Sequence, residues 1–252
     1  MSSEVSRAVR ALHRRAGWAC DAASEAGVPG RFRVWEQAGA MAVLATDPAL
    51  GFLSTVSGET VPAAIDLVDA ADWRGVKPTL VVPAEPAVAA ENALVTAGFA
   101  RMADRLVAVN RLTVQPSPEE GAGLDVVAAR AADAFVEVLL AGYEVGGPVA
   151  AFIRAEHRLP MMRRFLAVAG GTPIAAAAMT IHGDVAVLGG ASTLPACRGR
   201  GAQSLLLRHR LRVAAEAGCV LAVATARPES VSAANLQRAG FRLERRAAWA
   251  RS

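Results

Sequence analysis

Apolar and polar positions along the chain switch between helical and strand periods, and the switches recur in the same order twice. Residues 3–25 read as an amphipathic helix that the GVPG of 27–30 stops. The stretches 31–46 and 50–58 read as strands around a turn at Asp47-Pro48. A helix over 61–73 follows, then PTLVVPA (78–84) as a buried strand. Residues 86–98 predict a helix ended by Gly98, and FARMADRLVAVNRL (99–112) a closing strand. QPSPEEGAG (115–123) has no apolar pattern and is rich in Pro, Gly and Glu, which makes it the best linker in the chain.

The second half opens with the strand LDVVAARA (124–131), followed by helical segments across 132–158 that GYEVGGP interrupts. An antiparallel meander then turns at Gly170-Gly171 and at His182-Gly183-Asp184. A helix from about Gly199 to Ala217, a buried strand (219–226), a helix at about 230–239 and the strand FRLERRAAWAR complete it. TAGFARM (96–102) and RAGFRLE (238–244) both end a helix and start a strand, each after a buried strand and a helix. That echo suggests an internal duplication, although helix–Gly–Phe–strand is also a common junction. The expected division is 1–115 and 116–252.

Composition narrows the class. With 53% hydrophobic and 20% charged residues, the chain can fill a core and is not a disordered one. No apolar run approaches the roughly 18 residues of a membrane span, and the N-terminus has no signal-peptide core, so a cytoplasmic protein without a membrane partner is expected. Three cysteines without C-x-x-C spacing and four scattered histidines give neither a disulfide framework nor a metal site. The net charge is +4 and Lys77 is the only lysine, but the arginines interleave with acids and aromatics are only 5%. A nucleic-acid surface built on base stacking is therefore disfavoured.

The departure from background is LPACRGRGAQSLLLR (194–208). A strand feeding a glycine-rich turn that opens a helix aims several unpaired N–H groups in one direction, and the helix dipole reinforces them as an anion site. Gly199 and Gly201 allow close backbone approach, while Arg198 and Arg200 add charge. The loop is neither Walker A nor G-x-G-x-x-G. Taken alone it fits a phosphate cradle, an RNA contact or a plain basic turn.

With its flanks, TLPACRGRGAQSLLLRHRLRVAAEAGC resembles motif A of the GNAT superfamily of acyl-CoA-dependent N-acetyltransferases, whose signature is Arg/Gln-x-x-Gly-x-Gly/Ala after a strand and a Pro. Pro195, Arg198 and Gly201 match, and Gln203 replaces the final Gly/Ala. Helix, Gly218, strand and SAANLQRAGF follow in family order, so the resemblance spans about 124–252. It implies an α/β (α+β) fold of two GNAT-like domains, each a mixed, mostly antiparallel twisted sheet flanked by helices. The first is a degenerate copy, because it offers only Ser57-Gly58-Glu59-Thr60 at the loop position. The resemblance also implies acetyl-CoA as co-substrate, with its pyrophosphate on the N–H groups of Gly199, Arg200, Gly201, Ala202, Gln203 and Ser204. Pantetheine would run along Ser192, Thr193 and Leu194 and reach Asn235, and Arg238 or Arg208 would meet the 3′-phosphate. Backbone N–H near Leu194 would stabilise the thioester oxyanion.

The family's usual acid is a tyrosine before Gly-Phe, where this chain has Leu236; its only tyrosine, Tyr143, falls with Glu144 among the segments that line the acceptor site in the family. Glu144, Glu156 and His157 are candidate bases that read more simply as solvated helix residues, and His182 reads as a turn residue. No catalytic residue is assigned. The resulting expectation is acetyl transfer from acetyl-CoA to a primary amine of a small molecule by direct attack, in a monomer with an internal pseudo-dimer or in a homodimer. Two other readings stay open: a CoA-binding regulatory or scaffold protein, and an acyltransferase whose donor is a carrier protein or an aminoacyl-tRNA.

Overall fold

The computed structural model describes residues 3–113 and 123–251. The 115/116 boundary and, apart from Gly123, the predicted linker lie outside these residues. In chain order the elements are α1 (Ser3–Glu25), β1 (Phe32–Gln37), β2 (Ala40–Ala45), β3 (Thr55–Gly58), α2 (Val61–Ala70), β4 (Thr79–Pro83), α3 (Ala84–Ala89), α4 (Glu91–Thr96) and β5 (Phe99–Arg111). The second half adds β6 (Asp125–Ala128), α5 (Ala132–Tyr143), α6 (Gly147–Arg158), β7 (Arg163–Ala169), β8 (Thr172–His182), β9 (Val185–Thr193), α7 (Ala202–Glu216), β10 (Leu221–Ala226), α8 (Val231–Arg238) and β11 (Arg242–Arg251).

Three expectations change. Residues 31–46 form a hairpin rather than one strand: Ala38 and Gly39 take φ of 49° and 76° between β1 and β2. An alanine in the left-handed region gives no turn signal in sequence. Asp47-Pro48 starts a 3-10 turn, Pro48–Leu53, in which the Asp47 carboxylate accepts from Ala49 N–H. The single helix expected over 86–98 is split at Ala90 into α3 and α4.

All strands join one mixed sheet of 11 strands in the order β1-β2-β3-β4-β11-β5-β10-β9-β8-β7-β6. Its middle shows a strand exchange. β5, the last strand of the first half, runs antiparallel to β10 of the second, while β11, the last strand of the second half, pairs with β4 of the first. Each half thus completes the other's sheet, and the two exchanged strands also pair with each other.

Helices cover both faces. Leu205, Leu206 and Leu207 of α7 bury against the alanine-rich strands β8–β10, where small side chains let the helix lie close. On the opposite face α5 packs Phe135, Leu139 and Leu140 over Leu166, Ala176 and Ala178. α1 bridges the halves: Val5, Ala8 and Val9 cover β5, β9 and β10, and Cys20 reaches Met41 and Val43 of β2. In the first half, α2 and α4 bury Leu67, Val68 and Leu94 with Leu80, Val82 and Trp249.

Candidate functional site

β9 and β10 are parallel neighbours only at Val185–Leu221, Ala186–Ala222 and Val187–Val223. Beyond that they part, and residues 188–193 of β9 continue with a partner on one side only, β8. A bulge in β9 helps turn it away: two β8 steps, Ala176 to Ala178, face three β9 steps, Ser192 to Gly189. The result is a crevice in the centre of the sheet, floored by the half-buried residues Gly189, Gly190, Ala191 and Thr193.

The alternation of a strand decides which groups face the opening. Leu194 N–H donates to Ile174 O at 2.9 Å, so the main chain of Ser192 also turns toward β8. The Leu194 N–H is therefore committed and does not serve as the oxyanion donor expected from sequence. The open-edge groups are those of Ala191 and Thr193. Ser192 acts instead through its side chain, which is buried and donates to Leu139 O at 2.8 Å, tying β9 to α5. This approach needs Gly142, because a Cβ there would lie 2.4 Å from Ser192 Oγ.

At the mouth of the crevice the chain makes a 3-10 turn, Pro195–Cys197, and enters α7 through Gly199 and Gly201, both at φ 81°. Gly201 is the N-cap and no side chain caps the helix. The first-turn N–H groups of Ala202, Gln203 and Ser204 therefore stay open to an anion at the positive end of a 15-residue helix. This fits a phosphate-bearing co-substrate, and these amides with Gly199 to Gly201 are the groups that would hold it.

The loop's side chains divide their tasks. The Arg198 guanidinium turns back to α5, donating to Gly142 O at 3.1 Å and to the Glu144 carboxylate at 2.9 Å. Arg200 is exposed. Gln203, the departure from the motif, is a strut: its Nε2 donates to Ser192 O at 2.6 Å and to Thr193 Oγ1 at 3.1 Å, joining the end of β9 to α7. On α8, Arg238 Nη2 donates to Asn235 Oδ1 at 2.7 Å, so these two expected CoA contacts are paired with each other on an exposed surface. Ser230 caps α8 by accepting from Ala233 N–H, and Leu236 is core.

Tyr143 and Glu144, expected from sequence to line an acceptor site, end α5. The Tyr143 hydroxyl accepts the Ala191 N–H at 2.9 Å, at the bulge and on the open edge. Burial, opposed by that N–H bond, holds the phenol pKa above its ordinary value, so it keeps its proton. Glu156 and His157 are not the solvated residues expected from sequence. Arg15 of α1 reaches over β9 to Val187 O at 3.2 Å and binds Glu156 at 2.8 Å. Burial alone would raise the Glu156 carboxyl, but Arg15 and His157 outweigh it and leave it below its ordinary value.

His157 is 1% exposed, and burial lowers its pKa despite the neighbouring Glu156. Its Nδ1 lies 2.9 Å from Ile153 O, which places the proton there, and Nε2 rests against Gly190, where a Cβ would come within 2.0 Å of it. His182 is also buried, stacked on Trp18 at 4.3 Å between centroids. Sequence reasoning missed Arg15 because α1 is more than a hundred residues away in the chain. The Gly-Tyr pair at 142–143 was the one local hint of a close approach. Two surface clefts of about 580 and 470 Å³ flank α6, both bordered by Arg154, and neither is lined by β9.

No helix among the described residues is long and apolar enough to cross a membrane, and no group of metal-ligating side chains is found among them. No curated protein matches the sequence. Among solved structures, a GCN5-related N-acetyltransferase from Kribbella flavida is similar over 94% of both chains, with 19% identity and a TM-score of 0.62. A GCN5-related N-acetyltransferase from Sphaerobacter thermophilus is similar over 85% of this chain and 80% of its own, with 17% identity and a TM-score of 0.60. A functionally unknown conserved protein from Staphylococcus epidermidis ATCC 12228 matches over 90% of this chain and 96% of its own, with 11% identity and a TM-score of 0.58. These likenesses establish the fold across both halves. The family model described as "Acetyltransferase (GNAT) family" matches residues 132–241, from α5 through α8. Through that segment the chain is similar to the GNAT acetyltransferase family.

Proposed function

We propose that the chain transfers an acetyl group from acetyl-CoA to a primary amine of a small molecule by direct attack at the crevice between β9 and β10. The observation that carries this reading is the meeting of two features at one mouth. The uncapped N-terminus of α7 offers backbone donors suited to a pyrophosphate, and β9 leaves the main chain of Ala191 and Thr193 unpaired by any strand beside it. An extended amide-bearing arm such as pantetheine can pair with that edge as an added strand would. Bound acetyl-CoA would supply an activated thioester at the crevice. The protein's task would be to hold it along the open edge of β9 and keep water out.

The test is calorimetry with CoA, followed by acetyl-CoA turnover read with a thiol reagent across a panel of small amines. The expected result is binding of one CoA per chain and amine-dependent thiol release. Binding without thiol release on any amine would favour a CoA-binding regulatory protein, and absence of binding would overturn the reading.

A further inference from the structure

Tyr143 is the only tyrosine of the chain, and it is held in place from several sides. Gly142 before it lies against Ser192 with no room for a Cβ. Arg198 of the glycine loop grips Gly142 O and the Glu144 carboxylate on either side of it. Ser192 Oγ ties the preceding turn of α5 through Leu139 O. These contacts fix a phenol whose oxygen accepts the open-edge Ala191 N–H, and an oxygen that accepts in this way still has its own proton to give. The residue as a whole is 38% exposed while its hydroxyl end is desolvated, so it sits at the border of crevice and solvent. No other side chain nearby has a proton to give: Glu144 pairs with Arg198, Glu156 with Arg15, and His157 holds its one proton on Nδ1 toward Ile153 O, which leaves its buried Nε2 as an acceptor without a partner.

Resting on the acetyl-transfer reading above, we propose that Tyr143 is a catalytic residue, the proton donor to the departing thiolate. As the amine lone pair forms the new C–N bond, the C–S bond breaks with its electrons on sulfur. The Tyr143 O–H proton passes to that sulfur and gives the thiol. The tyrosinate left behind then takes the extra proton of the acylated nitrogen, directly or through water, so the phenol is restored with no further reactant. The Arg198 clamp gives this arrangement a second property: the loop that would hold the pyrophosphate also fixes the residues flanking the acid.

Because the chain has one tyrosine, ¹³Cζ-tyrosine labelling of the full chain gives a single phenol signal. We expect CoA to raise the pH at which this signal titrates by about one unit relative to desulfo-CoA, because only CoA brings a thiolate beside the phenol. Tyr143→Phe should bind CoA as the parent does, keep its KM for acetyl-CoA, and lose about a hundredfold in kcat. The proposal is overturned if both ligands bind but leave the signal titrating at the same pH, or if Tyr143→Phe loses affinity and kcat in proportion. If CoA does not bind the parent chain at all, the acetyl-transfer reading falls, and this assignment falls with it.

Discussion

The two halves build the same parallel strand pair and differ in how the chain continues from it. In the second half, β9 runs on through residues 188–193 after its last pairing with β10. In the first half, β3 pairs with β4 through Ser57–Val81 and has only Gly58 left before the chain turns to α2. α7 begins uncapped at a glycine, whereas α2 is capped by the Thr60 side chain and has Pro62 in its first turn, which removes an N–H donor. The first half's crevice is also filled. Arg246 of the exchanged strand β11 is 2% exposed and donates to Gly58 O at 2.6 Å and Val81 O at 3.3 Å, bridging the ends of β3 and β4. Glu59, at the loop position, is engaged by Arg10 and Ser6 of α1. One fold thus gives an open crevice or a sealed one, according to strand length, the helix cap and one arginine.

The largest expected effect tests the open side. Gly201→Glu forces a side chain onto a φ of 81° and places a carboxylate against the first-turn amides of α7. We expect CoA affinity measured by calorimetry to fall at least about a thousandfold, about 4 kcal/mol, with the circular dichroism spectrum unchanged. Unchanged affinity would remove the loop from the donor site. The sealed side is tested by Arg246→Ala. This leaves Gly58 O and Val81 O buried without their donor and opens a cavity, for an expected loss of about 3–4 kcal/mol in urea unfolding. CoA binding should stay at one per chain. A second CoA bound by Arg246→Ala would show that the arginine alone separates the two crevices.

Much of this contrast was legible in the sequence. The RGRG loop between a strand and an apolar helix pattern pointed to the mouth of the crevice, and Ser57-Gly58-Glu59-Thr60 showed that the first half lacks such a loop, because these signals are local. The strand exchange was not legible. β5 and β11 have similar patterns, and nothing in either says which of two neighbouring sheets it completes. Arg246 was hidden for the same reason: in FRLERRAAWAR it is one arginine among several, and only the pairing of β11 with β4 places it at the first half's crevice. The burial of Glu156 and His157 depends on α1 covering them, a contact that helical periodicity within α6 does not report.

The seal also makes a prediction about acid. His13 of α1 is buried, and its pKa is lowered from 6.5 to about 4, first by burial and then by the charges of Arg246 and Arg10. Because the folded value is the lower one, this neutral histidine costs nothing above pH 6.5. Below that the unfolded chain takes up a proton that the folded chain refuses, so stability falls until about pH 4, where the folded chain also protonates. The loss is on the order of 3 kcal/mol. His13→Leu should flatten the urea-unfolding free energy over this window by about that amount. An unchanged slope would place the acid sensitivity elsewhere, with His182, whose pKa burial lowers to about 4, as the next group to test.

The smallest expected effect concerns Gln203, the one residue of the loop that departs from the motif. Its amide holds Ser192 O and Thr193 Oγ1, so it fixes how far the free end of β9 stands from the first turn of α7. Gln203→Ala removes neutral hydrogen bonds from a half-buried site, for a loss of about 1–2 kcal/mol in stability. Were the glutamine only a surface substitution, ligand binding would not change. If it sets the spacing between the amide cradle and the open edge, CoA affinity should fall about tenfold while a fragment carrying only the adenosine pyrophosphate binds as before, because that fragment does not reach β9. Equal losses for CoA and the fragment would show that Gln203 supports the cradle itself. Equal retention would return the spacing to the Arg198–Gly142 contact on the other side of the crevice.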